Sequence, residues 1–155
     1  LRDRCPLGCG VEPLGTFLAA AECGIKVSSR QPAESAVLIV EDDAAIRRLV
    51  RMVLERIGYK VEIACDGLEA VLKMGLVEYD AIILDLMMPN LDGFAFINTL
   101  EENDPEVLRR IIVTSAASPA VIKERLKGQP FDMLTKPFDI HELSRAVRNC
   151  IDARQ

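Results

Sequence analysis

Glu41, Asp42, Asp85, Thr114 and Lys136 are the residues best suited to chemistry, and each lies at the end of an apolar run. Glu41-Asp42-Asp43 follows Val37-Leu38-Ile39-Val40. Asp85 follows Ala81-Ile82-Ile83-Leu84. Thr114-Ser115 follows Ile111-Ile112-Val113, and Lys136-Pro137 follows residues 131–135. Carboxylates brought together repel, so without a cation at least one binds a proton or moves apart. Adjacent Asp and Glu oxygens plus a backbone carbonyl suit a hard divalent ion. Mg²⁺ fits well, because it keeps several waters and takes few protein ligands beside phosphate oxygens. Such an ion and the Lys136 ammonium would offset the charge on Asp85. They would also offset the charge that spreads over a transferring phosphoryl group. A hydroxyl at Thr114 could donate to one phosphoryl oxygen. The chemistry implied is uptake of a phosphoryl group on Asp85. No His–Ser or His–Cys pair is arranged for acyl transfer, since the single histidine is His141, near the far end of the chain.

Taken singly, each residue has a plainer role. Asp85 suits a solvated strand end, Glu41 or Asp43 a helix N-terminus, Thr114 a β-branched strand position and Lys136 a solvated surface. Joint placement at every relevant strand end is what the plain roles leave unexplained.

The elements that must position these residues are legible in the hydrophobic pattern. Ala81 to Asp85 is apolar on both faces, as suits a central parallel strand covered by helices. The turn-forming stretch Pro89-Asn90-Leu91-Asp92-Gly93 comes soon after it. Strands are also predicted at Val37-Leu38-Ile39-Val40, Val61-Glu62-Ile63-Ala64, Ile111-Ile112-Val113-Thr114-Ser115 and residues 131–135. Between them, Ile46, Leu49, Val50, Val53, Leu54 and Ile57 recur at helical spacing, with Arg47, Arg48, Arg51 and Glu55 opposite and Gly58 as a stop. Asp66 and Glu69 form a predicted capping box ahead of Leu68, Val71 and Leu72. Asp92 caps a helix with Phe94, Ile97 and Leu100, which Asp104-Pro105 breaks. Ser118-Pro119 opens a helix with Val121, Ile122 and Leu126 inward, stopped by Gly128. Asp139 and Glu142 form a further capping box before Leu143, Val147 and Ile151. Strand–helix alternation of this kind predicts a doubly wound α/β fold: a five-stranded parallel sheet with helices on both faces. All the strand ends then share one edge.

The chain has 155 residues, enough for one sound core, with 50% hydrophobic and 28% charged residues. A net charge of −5 argues against direct nucleic-acid binding by this segment. Five cysteines, none in C-x-x-C spacing, fit a reduced, cytoplasmic protein. The longest apolar run is too short to span a membrane. Residues 1–35 differ from the rest and read as a flexible tail or linker, and residues 36–155 as the folded domain. Arg2, Arg4 and the apolar residues 14–21 resemble a secretion signal, but Asp3 and the interrupting glycines and prolines oppose that reading.

Over residues 36–153 the chain resembles a receiver domain of bacterial two-component response regulators. The resemblance rests on Leu38-Ile39-Val40-Glu41-Asp42-Asp43, on Ile83-Leu84-Asp85 through Pro89 to Asp92-Gly93, on Val113-Thr114-Ser115-Ala116 and on Thr135-Lys136-Pro137-Phe138. It implies a flavodoxin-like strand order, 2-1-3-4-5. It implies that Asp85 accepts a phosphoryl group from a phosphohistidine on a sensor kinase or phosphotransfer protein. Asp42 and Asp85 would hold Mg²⁺ (Mn²⁺ being the alternative), Glu41 acting through water and the Met87 backbone carbonyl completing the set. Thr114 would swing toward the phosphoryl group and Lys136 pair with it. Pro89 and Gly93 would shape the acceptor loop, and the Lys136–Pro137 peptide would be cis.

Two departures from the family pattern stand out. Met133 occupies a position often filled by Tyr or Phe, whose ring rotates on activation; an aromatic flip is not expected here, though a flexible Met could still repack. Met87 and Ala116 stand where other members carry groups that influence acyl-phosphate lifetime. Neither can orient a water by charge or amide hydrogen bonding, which implies a long-lived phosphoryl state. Charge added at Asp85 would bias a surface made by residues 121–126, 131–135 and 140–151, the expected site of a downstream protein contact or of a phosphorylation-linked homodimer. The alternative setting is a receiver within a DNA-binding regulator or hybrid kinase. An Mg²⁺-dependent phosphohydrolase with an Asp nucleophile is the rival from another class, but its usual second Asp, two residues on, is here Met87. A nucleotide or flavin carrier would want a Gly- or Ser/Thr-rich loop after the first strand, where this chain is acidic.

Overall fold

Five short runs of β-branched and aliphatic residues form the strands β1 (Ala36–Val40), β2 (Lys60–Ala64), β3 (Ala81–Asp85), β4 (Ile111–Ser115) and β5 (Asp132–Thr135). The computed structural model describes residues 34–89 and 91–154, so most of the predicted tail lies outside the described residues. All four pairings are parallel, in the spatial order β2-β1-β3-β4-β5, as the resemblance implied. Every residue of β3 and β4 is buried, whereas the edge strands β2 and β5 are only partly buried. Alternation along β1 divides the core. Leu38 and Val40 face a layer shared with α2 (Gly67–Leu76), α3 (Gly93–Asn103) and α4 (Pro119–Arg125). Val37 and Ile39 face a layer shared with α1 (Ala44–Ile57) and α5 (Ile140–Asp152).

The helix ends follow local chemistry. The Asp43 carboxylate accepts from the N–H groups of Ala45 at 2.8 Å and Ile46 at 2.9 Å, starting α1. These bonds hold its carboxyl below the usual range. Gly58, at φ 111°, ends α1 in the left-handed region. Asp139 and Glu142 complete the predicted capping box of α5. At α2 the box is shifted: Asp66 accepts from the Glu69 N–H, but Glu69 reaches past the cap to the Cys65 N–H at 2.8 Å. Ser118 stands at the cap of α4 without a side-chain bond, and α4 ends at Arg125 rather than running to Gly128. Asp104-Pro105 does stop α3. A 3₁₀ segment, Pro105–Arg110, then buries Val107 and Leu108 before β4 begins.

The apolar residues by which α2 is recognised in the sequence are not the ones it buries. Leu68, Val71 and Leu72 are 72%, 48% and 61% exposed, and the helix buries Gly67 and Ala70 instead. Gly67 lies against Leu91, so the start of α2 packs close while its leucines stay outside. Leu49 of α1, expected inside, is also exposed. Cys65 is an exposed and Cys150 a buried free thiol. Among the described residues no helix is long and apolar enough to cross a membrane.

This division of inside from outside is testable by urea unfolding. Leu72→Gln should change stability by no more than about 0.5 kcal/mol, as for an ordinary surface change. Ile112→Ala, in the buried centre of β4, should cost about 2–5 kcal/mol. Equal losses would mean that the exposed stripe of α2 is buried in solution.

Candidate functional site

Parallel register carries the strand ends to one edge. Val40 lies beside Leu84, Asp85 beside Thr114, and Ser115 beside Thr135. The residues that follow β1 and β5 therefore flank the end of β3. Carboxylate oxygens of Glu41, Asp42 and Asp85 lie within 4.8 Å of one another. The Lys136 ammonium donates to Asp85 Oδ2 at 2.8 Å and to Glu41 Oε2 at 2.8 Å, across 51 and 95 residues of sequence. Glu41 and Asp85 are 4% and 3% exposed, while Asp42 opens to solvent. Thus Glu41, Asp42, Asp85, Thr114 and Lys136 come together as the sequence reading expects.

The charges do not balance. Three carboxylates cluster beside one ammonium, which bonds two of them, Asp85 and Glu41. Burial, opposed by the Lys136 hydrogen bond and reinforced by the Asp85 charge, raises the Glu41 carboxyl above the ordinary glutamate range. Burial works against the Lys136 ammonium, but the bonds and charges of Asp85 and Glu41 outweigh it and hold its pKa above that of a free lysine. Lys136 is therefore charged at neutral pH. A buried oxygen cluster with surplus negative charge and one solvent-facing member fits a partly hydrated divalent cation. The Thr114 hydroxyl, on a residue 1% exposed, has no hydrogen-bond partner among the described residues. An unpaired buried hydroxyl costs about 1–3 kcal/mol, and an acceptor arriving beside Asp85 would relieve it.

The loop after Asp85 is held by its own backbone. Met87 N–H donates to Asp85 Oδ1 at 2.9 Å, and Leu86 N–H to the Thr114 carbonyl at 3.1 Å. A short antiparallel ribbon pairs Met87 with Asp92 and Met88 with Leu91, with Pro89 at its turn. Gly93 is required by a close approach: a Cβ there would lie 2.6 Å from Leu86 Cα and 2.8 Å from its carbonyl oxygen. Asp92 accepts from Phe94 and Ala95 N–H groups and launches α3. The Met87 side chain is 58% exposed. The Lys136–Pro137 peptide is cis. Met133 stands apart from this group. It pairs with Val113 in register and packs into the layer of α3 and α4.

Two features escaped the sequence reading. Arg47, placed there on the outer face of α1, turns back to the loop and donates to the Glu41 and Asp42 carbonyls. Its place one turn after the Asp43 cap was the available signal. An apolar groove of ≈ 410 Å³ also adjoins the site, formed by Ile46, Leu49, Val50, Pro137, Phe138 and Ile140 together with Lys136. The exposure of Leu49, which helical periodicity did not reveal, helps create it.

The raised Glu41 value sets a pH dependence. The folded state holds this proton more tightly than the unfolded chain does. Its contribution is therefore present below the ordinary glutamate range and is lost as pH rises through the raised value. In EDTA, the stability of Glu41→Gln relative to the parent should improve as pH rises over that interval, and Mg²⁺ should narrow the gap. A pH-independent gap in urea unfolding would mean that Glu41 ionises without penalty.

Comparison with known proteins agrees with this geometry. A family model, the response regulator receiver domain, matches residues 37–148. The transcriptional regulatory protein ResD of Bacillus subtilis is 36% identical over 118 residues, covering 76% of this chain and 48% of ResD. The DNA-binding dual master transcriptional regulator RpaA of Synechocystis is 35% identical over 115 residues, covering 72% of this chain and 47% of RpaA. The chain thus spans about half the length of these curated relatives. The receiver domain of the Francisella response regulator 1452 superposes with a TM-score of 0.70 at 32% identity, covering 78% of this chain and 99% of that one. Likeness at this level, over the residues that build the sheet and its acidic edge, places the chain in the receiver-domain family of response regulators.

Proposed function

We propose that this chain is a cytoplasmic, phosphorylation-dependent signalling switch with Asp85 as its phosphoacceptor. The observation that carries the reading is the Lys136 ammonium shared between Asp85 and Glu41, with Asp42 within ligand distance. The Asp85 carboxylate attacks the phosphorus of a donor phosphohistidine. A P–O bond forms, the P–N bond breaks, and the electron pair leaves with the imidazole nitrogen. Mg²⁺, held by Asp42 and Asp85 with the Met87 carbonyl and with Glu41 through water, would neutralise charge on the phosphoryl oxygens. Lys136 transfers its hydrogen bond from the carboxylate to a phosphoryl oxygen, and Thr114 supplies its unused hydroxyl. The groove beside Lys136 suits the apolar surface of the donor protein. The chain is not an enzyme beyond this uptake and its own dephosphorylation.

The output is proposed to pass through α4, β5 and α5, to a protein partner or a second copy. Both Thr114 and Lys136 end strands that lead into this surface. The curated relatives favour a second setting: RpaA is named as DNA-binding, and the chain spans only about half of it. In that setting the same switch acts on a DNA-binding region elsewhere in the protein, and this segment itself contacts no nucleic acid.

Acetyl phosphate with Mg²⁺ should phosphorylate the parent once, as read by intact mass, and Asp85→Ala should take up nothing. Equal labelling of the variant would remove Asp85 as acceptor. Steady turnover of a small phosphoester would favour the phosphohydrolase instead. With the exposed, apolar Met87 and the small Ala116 flanking the site, the label should persist after acetyl phosphate is removed. Rapid loss would show that another group orients the attacking water.

A further inference from the structure

One side chain holds the backbone that carries two of the three clustered carboxylates. Arg47 Nη1 donates to the Glu41 carbonyl at 2.6 Å and to the Asp42 carbonyl at 3.1 Å. Arg47 is anchored in the first turn of α1, where its own N–H donates to the Asp43 carbonyl at 2.9 Å. On the other side, Glu41 N–H donates to the Ala64 carbonyl at 3.2 Å, tying the loop to β2. Asp43 N–H donates to Glu41 Oε1 at 3.3 Å. The loop is thus fastened between β2 and α1, and Arg47 supplies the fastening to α1 at both carboxylate-bearing residues.

We propose that Arg47 is a positioning residue for the cation site: it fixes the backbone from which Glu41 and Asp42 project, so their oxygens are pre-ordered around an ion. This rests on the proposed cation site. Two physical effects of the guanidinium carry opposite signs. As a clamp it tightens ion binding, since partners behind metal ligands are commonly worth about 10–100-fold in affinity. As a bare charge it repels a divalent ion, so its removal would tighten binding. The geometry favours the clamp. One charged nitrogen bridges two consecutive carbonyls at hydrogen-bond distance, and the Glu41 carboxylate is itself bonded elsewhere, to Lys136. The carboxylates and solvent also screen the repulsion.

The test uses the full chain, with Mn²⁺ binding followed by electron paramagnetic resonance of the free ion and Mg²⁺ by competition. Arg47→Gln should weaken binding about tenfold. Arg47→Lys keeps the charge but not the planar fork, and should fall between the variant and the parent. Unchanged or tighter binding in Arg47→Gln overturns the proposal. Hydrogen exchange in EDTA gives a readout independent of the ion. The Glu41 and Asp43 amides should exchange faster in Arg47→Gln, while the β3 amides and the urea midpoint stay near the parent's. If those fall together, Arg47 serves the whole fold and the proposal is overturned. If the parent binds no ion, the cation site itself fails. The exchange experiment still decides the clamp, which unchanged loop amides would refute.

Discussion

One ammonium shared by two buried carboxylates is the constraint on which the rest of the structure depends. Lys136 comes from the end of the last strand, Asp85 from the middle strand and Glu41 from the first. Buried ion pairs seldom add net stability, because desolvation offsets most of their attraction. Here the imbalance is larger, with Asp42 adding a third carboxylate to the same edge. The cost is carried by the apolar sheet beneath. Ala81 through Leu84 and Ile111 through Val113 are at most 3% exposed, which leaves their strands nowhere else to go. A site strained in this way is poised to gain from an added cation, and that is what the proposed switch requires.

The same edge also holds the parts that would have to move. Thr114, beside Asp85 in register, has a buried hydroxyl without a hydrogen-bond partner among the described residues. Beyond it, α4 is the shortest of the described α-helices, at seven residues, and its N-cap serine makes no side-chain bond. A short helix with a weak cap is an inexpensive element to displace. Arg125 at its end sits 3.7 Å over the Phe94 ring, linking it to α3. Met133 lies in the same layer, where a flexible thioether can repack without the rotamer jump an aromatic ring would need. In the proposed switch, a change of charge at Asp85 reaches the outer surface through these contacts.

Much of the fold was legible because its signals are local. Four-residue apolar runs, the Asp43, Asp92 and Asp139 caps and the Asp104-Pro105 break each act within a turn of chain. The misread elements are those in which competing neighbours decide. Leu68, Val71 and Leu72 marked the helix in the sequence, yet it buries Gly67 and Ala70, since close packing of Gly67 against Leu91 requires a small residue there. Glu69 passed over the Asp66 N–H for that of Cys65, a choice between two adjacent donors that spacing alone cannot make. The segment after Pro105 became a 3₁₀ turn because Val107 and Leu108 found room in the core.

The sequence by itself determined which residues would share an edge. In a parallel sheet every strand end points the same way, so Glu41, Asp42, Asp85, Thr114 and Lys136 had to converge once the strands were located. Only the tertiary structure decided how they meet. The bridging of Lys136 between two particular oxygens, the Thr114 hydroxyl left without a partner among the described residues and the return of Arg47 to the Glu41–Asp42 backbone depend on where each side chain comes to rest. Periodicity specifies the face on which a residue stands. It carries no information about which of several donors within reach a buried acceptor will take, and packing around the site settles that.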